Sequence, residues 1–466
     1  MPINNNISII LIILMLILGI LILKLKNTTN SRFQNKDVRY KYIINEKEYD
    51  NVPVNLPVRV KFKNCGHLKL QSVLQDVFDK YKFKKINENS NNWDLYIPCG
   101  YNYVETEVKN IKITNPNQKV FAIKGCDKIA SKNELWKMVS DFYGHDEASQ
   151  LIPESFIINN KDDINNFKSK FNKENLYLLK KNIQRKEGIY ISNNFNKIMD
   201  IITETNKNLK LYYNNINNNK NNLDYYFNKK ILHKTDNNNN KTINKKITTV
   251  KEENYSKNQN INSLINNYKI IQIYINNLYL IGNRKCNLRL YLLVICNKGN
   301  KESYLYKYGK CIYTNKEYTN INFENANTER EKHLTSYNLD PVIYETLPES
   351  LEDLKNYLGT VKFNSLWNDI IILFVNVMNA VKSKICNSRN LKDVVSFQLF
   401  GADIIFTKKL HPYLLELNKG PSMKYITNND KNMKLNLNED IFKEVGIIPF
   451  KNKEKSNFIK INTNKF

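Results

Sequence analysis

The sequence predicts a mixed α+β body, of α/β type in its alternation, preceded by one apolar N-terminal helix. Three observations predict it. Strand-like and helix-like patterns alternate from about residue 52 to residue 418. Hydrophobic residues make up 41% of the 466 and aromatics 11%, enough to bury real cores. A separate stretch, Ile7 to Leu23 (ISIILIILMLILGILIL), carries no charge and is followed by a polar segment. At roughly 100–200 residues per domain the length allows two to four domains.

The apolar stretch is taken first. A membrane-spanning helix needs about 17–25 apolar residues. Residues 7–25 meet the lower bound. A cleaved signal peptide is the competing reading, but MPINNN lacks Lys and Arg and no small-residue cleavage site follows. Lys24, Lys26, Arg32 and Lys36 all lie on its carboxyl side, so the positive-inside rule puts the body in the cytosol. Residues 1–26 are therefore expected as a single-pass anchor and 27–50 as a tether.

An α/β subdomain is expected over 51–160. VNLPVRVKF alternates as a strand does, and residues 68–83 carry apolar residues at helical spacing. WDLYIP (93–98) and KVFAIKG (119–125) read as further strands. Residues 131–144 read as a helix with Ser131 as N-cap and Glu134 at the capping-box position. SFIINN and NLYLLKKN are strands around a short helix, 162–171. The Asn runs of 214–262 cannot supply a core and read as a flexible low-complexity insertion. Strands resume at 268–277, 287–297 and 303–314. The long helix at 363–386 has its apolar run broken by Asn368, Asp369, Asn376 and Asn379, so it reads as a core helix and not a second span. SFQLFGADIIF (396–406) and PYLLELN (412–418) close the body, and 426–466 reads as a basic tail.

Lys and Arg total 71 against 45 Asp and Glu, a net charge of +26. Such a chain seeks an acidic partner: nucleic acid, an anionic membrane face, a nucleotide or an acidic protein. The Asn/Lys/Ile bias of an AT-rich genome accounts for such an excess equally well. No helix-turn-helix, zinc-finger or RNA-recognition motif is present, so nucleic acid is not the expected partner. Seven cysteines with no CxxC pair argue against a disulfide framework and a thiolate zinc site, and five histidines form no HxxxH pair. A reducing compartment follows.

Two clusters could carry chemistry. Glu416 and Asn418 lie two apart in a strand and so project together. If the last two strands pair, Asp403 joins them. Two carboxylates and an amide oxygen suit Mg²⁺, with nucleotide phosphates completing its shell. A strand end pointing into solvent is the bland alternative. The second cluster is cationic. Lys180 and Lys181 end an apolar strand, and Arg185, Lys186 and Gly188 follow in a short loop that is not a Walker A motif. Lys285, Asn287 and Arg289 alternate on one face. Each alone is equally an ordinary solvated face.

Taken in order, YLLKK…RKEGIYIS, IQIYINNLYLIGNRKCNLRLYLLV, HLTSYNLD, FQLFGADIIF and PYLLELNKGPSM resemble the successive motifs of the tubulin–tyrosine ligase-like family, within the ATP-grasp superfamily. The resemblance covers roughly residues 119–425, with the ligase region expected at 161–425. It implies an ATP-grasp fold that holds ATP and Mg²⁺. It also implies ligation of a free amino acid to an acidic protein carboxylate, usually a tubulin tail, through an acyl phosphate. On matching positions, Lys180 would contact the α/β-phosphates, with Arg185 and Lys186 above them. Gln272, Tyr274 and Ile275 would form the adenine hinge. Lys285 and Arg289 would face substrate or the γ-phosphate. His333 and Thr335 would line the nucleotide and acceptor site. Asp403, Glu416 and Asn418 would coordinate Mg²⁺. The chain departs from the pattern in KK for KP, in a shortened phosphate loop, in Asn287 for an aspartate and in Ser336 for an asparagine. The loss of charge at Asn287 bears on acceptor specificity or on activity itself. The runner-up is a catalytically weakened ATP-binding or interaction module at a membrane.

Overall fold

The computed structural model describes residues 57–62, 72–87, 89–98, 104–182, 188–210, 267–319, 327–335, 339–450 and 455–461. The expected anchor and tether, the Asn-rich insertion, and Arg185, Lys186 and Ser336 lie outside the described residues.

The chain is mixed α/β. Its strands in chain order are β1 (Arg59–Phe62), β2 (Lys84–Lys85), β3 (Leu95–Ile97), β4 (Lys119–Val120), β5 (Ser155–Ile157), β6 (Tyr177–Lys181), β7 (Ile189–Ser192), β8 (Tyr268–Ile273), β9 (Leu280–Ile281), β10 (Arg284–Asn297), β11 (Asn300–Tyr306), β12 (Lys310–Tyr313), β13 (Val395–Phe406), β14 (Pro412–Lys419) and β15 (Phe458–Ile461). A four-stranded antiparallel sheet runs β5–β8–β6–β7. An eleven-stranded sheet runs β15–β11–β10–β13–β4–β3–β1–β2, with β9 and β12 on β10 and β14 on β13. The N-terminal strands are continuous with this larger sheet, because β4 pairs in parallel with both β3 and β13.

Side-chain alternation decides what each strand shows to its two faces. In β6, Tyr177 and Leu179 join Phe156, Phe167, Ile198, Ile202 and Ile271 in a core under helix Lys161–Lys170 and a helix over 195–210. Leu178 and Lys180 take the opposite face. In β10, Tyr291, Leu293 and Ile295 pack with Phe397, Leu399, Leu437, Ile441 and Phe442. Lys285, Asn287 and Arg289 share the parity of those apolar residues. One face of one strand is thus polar in its first half and apolar in its second. The stretch 303–314, read as one strand, divides into β11 and β12 at Gly309. A Cβ there would sit 2.7 Å from the Arg289 carbonyl oxygen, so only glycine lets the chain pass.

Three expectations are corrected. Residues 426–466 are not a tail. They hold helix Asn428–Glu444, which buries Leu437, Ile441 and Phe442, and β15, which pairs with β11. Lysine and asparagine between the apolar positions hid this pattern. The cysteines are not all unpaired: Cys296 at the end of β10 and Cys386, 90 residues on, form a disulfide with Cα atoms 5.6 Å apart. Tertiary approach, and no local spacing, brings them together. Ser131 does cap helix Lys132–Tyr143, but without a capping box. Its hydroxyl donates to Asn133 Oδ1 and accepts from Asn182 Nδ2, while the Lys132 backbone N–H donates to Asn182 Oδ1.

Helix Thr360–Val381 buries Ile370, Phe374, Val377 and Val381 and packs on helix Lys132–Tyr143 and β14. By length and hydropathy alone, Thr360–Lys384 is apolar enough to cross a membrane.

Candidate active site

Between the four-stranded sheet and β10, β13 and β14 lies a cleft of about 280 Å³. It is lined by Lys180, Gln272, Tyr274, Ile275, Lys285, Asn287, Arg289, His333, Thr335, Asp403, Glu416 and Asn418. These sequence-predicted residues therefore lie together, although they come from segments more than 200 residues apart.

Strand register builds the acidic side. Asp403 of β13 stands opposite Arg289 of β10 and opposite Glu416 of β14, and a bulge follows between Asp403 and Ile404. Directly opposed residues share a face, so Arg289, Asp403 and Glu416 form a row, with Asn418 two residues on. Bulges of this kind re-aim side chains beside functional sites. Gly401 makes the row possible. A Cβ at this position would lie 2.7 Å from Pro421 Cβ and 3.3 Å from Arg289 Cδ, so the glycine clears a path for the arginine side chain.

The charges are tightly matched. Arg289 Nε and an Nη donate to the two Asp403 oxygens at 2.6 and 3.2 Å, a bidentate pair. Burial works against its charge, yet Asp403 raises the guanidinium's pKa. Glu416 Oε2 lies 3.0 Å from Lys132 Nζ, and its Oε1 accepts from Asn418 Nδ2 at 2.9 Å. Burial alone would raise this carboxyl. Lys132 and the Asn418 amide hold it down at about 2.

The opposite wall is cationic. Lys180 is buried, and its Nζ donates to Gln272 Oε1 at 2.5 Å. Gln272 in turn donates to Ser155 Oγ at 3.0 Å, which fixes its amide. Burial, then the neighbouring Lys132, lowers the Lys180 ammonium to about 8, against the pull of Glu416 and Asp403. Lys285 Nζ sits 4.7 Å from the Tyr274 ring centroid, a cation–π contact. His333 is fully buried and packs edge-on to Tyr318. Burial and then Lys285 lower its imidazole to about 4, so it is neutral near pH 7. Asn287 donates to Thr335 Oγ1 at 2.8 Å. Its Oδ1 and both His333 ring nitrogens are buried with no hydrogen-bond partner among the described residues. Such orphaned groups on a cleft wall are costly unless a ligand satisfies them.

Lys132 also lines the cleft and is not among the residues predicted from sequence. It is the first residue of a helix and carries no motif, and its reach to Glu416 depends on the packing of that helix. The nearest signal was the Ser131 N-cap beside it.

The chain matches the tubulin-tyrosine ligase family over residues 111–455. It belongs to that family. Similar curated proteins include a probable tubulin polyglutamylase of Caenorhabditis elegans, 25% identical over 35% of this chain and 39% of the relative. A probable tubulin polyglutamylase of Bos taurus is 29% identical over 38% of each chain. A probable alpha-tubulin polyglutamylase of Tetrahymena thermophila is 29% identical over 38% of this chain and 43% of the relative. The chain thus matches well under half the length of these relatives.

The residues of the cleft fit a nucleotide and a divalent cation. Asp403, Glu416 and Asn418 offer the hard oxygens that Mg²⁺ prefers. The buried ammonium of Lys180 suits phosphate oxygens, and the orphaned Asn287 oxygen and His333 nitrogens await polar groups of a ligand.

Proposed function

We propose that this chain is an ATP-dependent carboxylate–amine ligase with an ATP-grasp site, adding a free amino acid to an acidic protein. Tubulin is the acceptor that the named relatives favour. One observation carries the reading: Lys180 and Arg289 meet Asp403, Glu416 and Asn418 in a single cleft.

The chemistry asks for positioning and charge neutralisation, not for a protein nucleophile. In the first step an acceptor carboxylate oxygen attacks the γ-phosphorus and ADP leaves. In the second the amino-acid nitrogen attacks the acyl carbon of the acyl phosphate, loses a proton, and inorganic phosphate leaves. A bound Mg²⁺ would neutralise phosphate charge. Lys180 would hold non-transferred phosphate oxygens, with Arg185 and Lys186 beside it. Gln272, Tyr274 and Ile275 would border the base. Lys285 and Arg289 would draw the anionic acceptor and γ-phosphate together. Neutral His333, with Thr335, would donate or accept hydrogen bonds but would be a weak base at pH 7. Attachment through residues 7–25, with the basic flank on the cytosolic side, completes the proposal and rests on the apolar sequence alone.

Asn287 favours a second reading, a nucleotide-binding module with weakened turnover, because an amide stands where the family has a carboxylate. Incubation with Mg-ATP, labelled amino acids and tubulin or acidic peptides separates the two. Incorporation that disappears in Glu416→Gln supports the ligase. Nucleotide binding without incorporation supports the module.

A further inference from the structure

Both carboxylates of the candidate metal site are already engaged by cations of the chain itself. Arg289 spans the two oxygens of Asp403, and Lys132 holds Glu416 at 3.0 Å. The second Glu416 oxygen takes the Asn418 amide. The two cations differ in how they are held. Arg289 is fixed by register in the centre of the sheet and by two hydrogen bonds. Lys132 projects from the first turn of a helix and meets the acidic row through its ammonium at Glu416, a point charge on a flexible stem.

The balance of charge in the cleft matters as much as the contacts. Among the described residues, Lys132, Lys180, Lys181, Lys285 and Arg289 line it against Asp403 and Glu416. A bare divalent cation meets a wall of net positive charge and must also displace an ammonium. A polyphosphate meets the opposite situation. Its oxygens attract Lys132 and Lys180, and its own charge offsets that of the metal. Opposite charges this close attract strongly in the low dielectric of a cleft, so one ammonium decides which species enters.

We propose that Lys132 is an internal counter-cation that occupies Glu416 until a polyphosphate draws it away, so that the divalent cation is admitted only together with the nucleotide. This deepens the nucleotide-binding reading above and rests on it. Lys132 acts here as a positioning residue: it governs when Glu416 becomes available as a ligand. The pairing also holds Glu416 oriented toward Asn418.

The test is binding of Mn²⁺ to the full chain, read by the electron paramagnetic resonance of free Mn²⁺, without nucleotide and with a non-hydrolysable ATP analogue. The wild type should bind Mn²⁺ weakly alone and strongly with the analogue. Lys132→Met, of similar length and no charge, should tighten nucleotide-free Mn²⁺ binding by at least about tenfold. It should also weaken binding of the analogue measured without metal. Lys132→Arg, which keeps the charge, should return Mn²⁺ binding to the wild-type pattern, and Glu416→Gln added to Lys132→Met should erase the gain. A Lys132→Met protein that binds nucleotide-free Mn²⁺ no better than wild type overturns the proposal while leaving the nucleotide reading intact. Equally tight binding of bare Mn²⁺ by the wild type overturns it too. Loss of all analogue binding by the folded wild type would remove both.

Discussion

Lys180 offers the sharpest separation of a functional residue from a structural one. The side chain is buried, and its fall from the ordinary 10.5 to about 8 corresponds to a cost of about 3 kcal/mol for keeping it charged in the fold. Lys180→Met removes that cost. It also leaves Gln272 Oε1 without its donor, a loss of about 1–3 kcal/mol. The net expectation is a protein more stable by about 1 kcal/mol, with a thermal midpoint higher by a degree or two. Nucleotide affinity should move the other way. Losing one charge-assisted hydrogen bond of about 1.5–3 kcal/mol weakens binding roughly ten- to a hundredfold. Calorimetric unfolding and isothermal titration with a non-hydrolysable Mg-ATP analogue read both quantities on the same variant. A lower midpoint with unchanged affinity would show that Lys180 serves the fold and not a ligand.

Other outcomes follow from the same geometry. Affinity for the Mg-nucleotide should be level below pH 8 and fall above it as Lys180 loses its proton, by up to about tenfold per pH unit; Lys180→Arg should remove this limb of the titration profile. Gly401→Ala should cost about 1–3 kcal/mol, because the added methyl collides with Pro421 and crowds Arg289, and an unchanged midpoint would contradict the packing. His333 has a folded pKa below its unfolded value. Its contribution to stability is therefore full above pH 6.5 and is lost as pH falls toward 4, by about 3 kcal/mol. Chemical denaturation at several pH values should show this decline, and His333→Gln should flatten it.

Much of the site was legible because its logic is local. Spacing of two in LLELN puts Glu416 and Asn418 on one face, and alternation in RKCNLR does the same for Lys285, Asn287 and Arg289. Order along the chain then allowed the motifs to be matched to a family. What pairing adds was not legible. The register that places Arg289 against Asp403 joins strands whose paired residues lie 114 positions apart, and the bulge beside it belongs to the pairing of β13 with β14. The reach of Lys132 to Glu416 depends on a helix docking, and the Cys296–Cys386 bond joins a strand end to a distant turn. Composition misled at the C-terminus, where lysine and asparagine concealed a helix with a buried face and a strand that pairs with β11.

The direct test of the ligase is the fate of the acceptor carboxylate oxygen. An acidic tubulin peptide carrying ¹⁸O in its side-chain carboxylates is incubated with the chain, Mg-ATP and a free amino acid, and the released phosphate is analysed by mass spectrometry. An acyl phosphate route transfers one ¹⁸O to phosphate for every amide bond formed, and Glu416→Gln abolishes both. Phosphate free of ¹⁸O alongside amide formation would contradict the mechanism. Bound nucleotide with neither phosphate nor amide released would contradict the ligase itself.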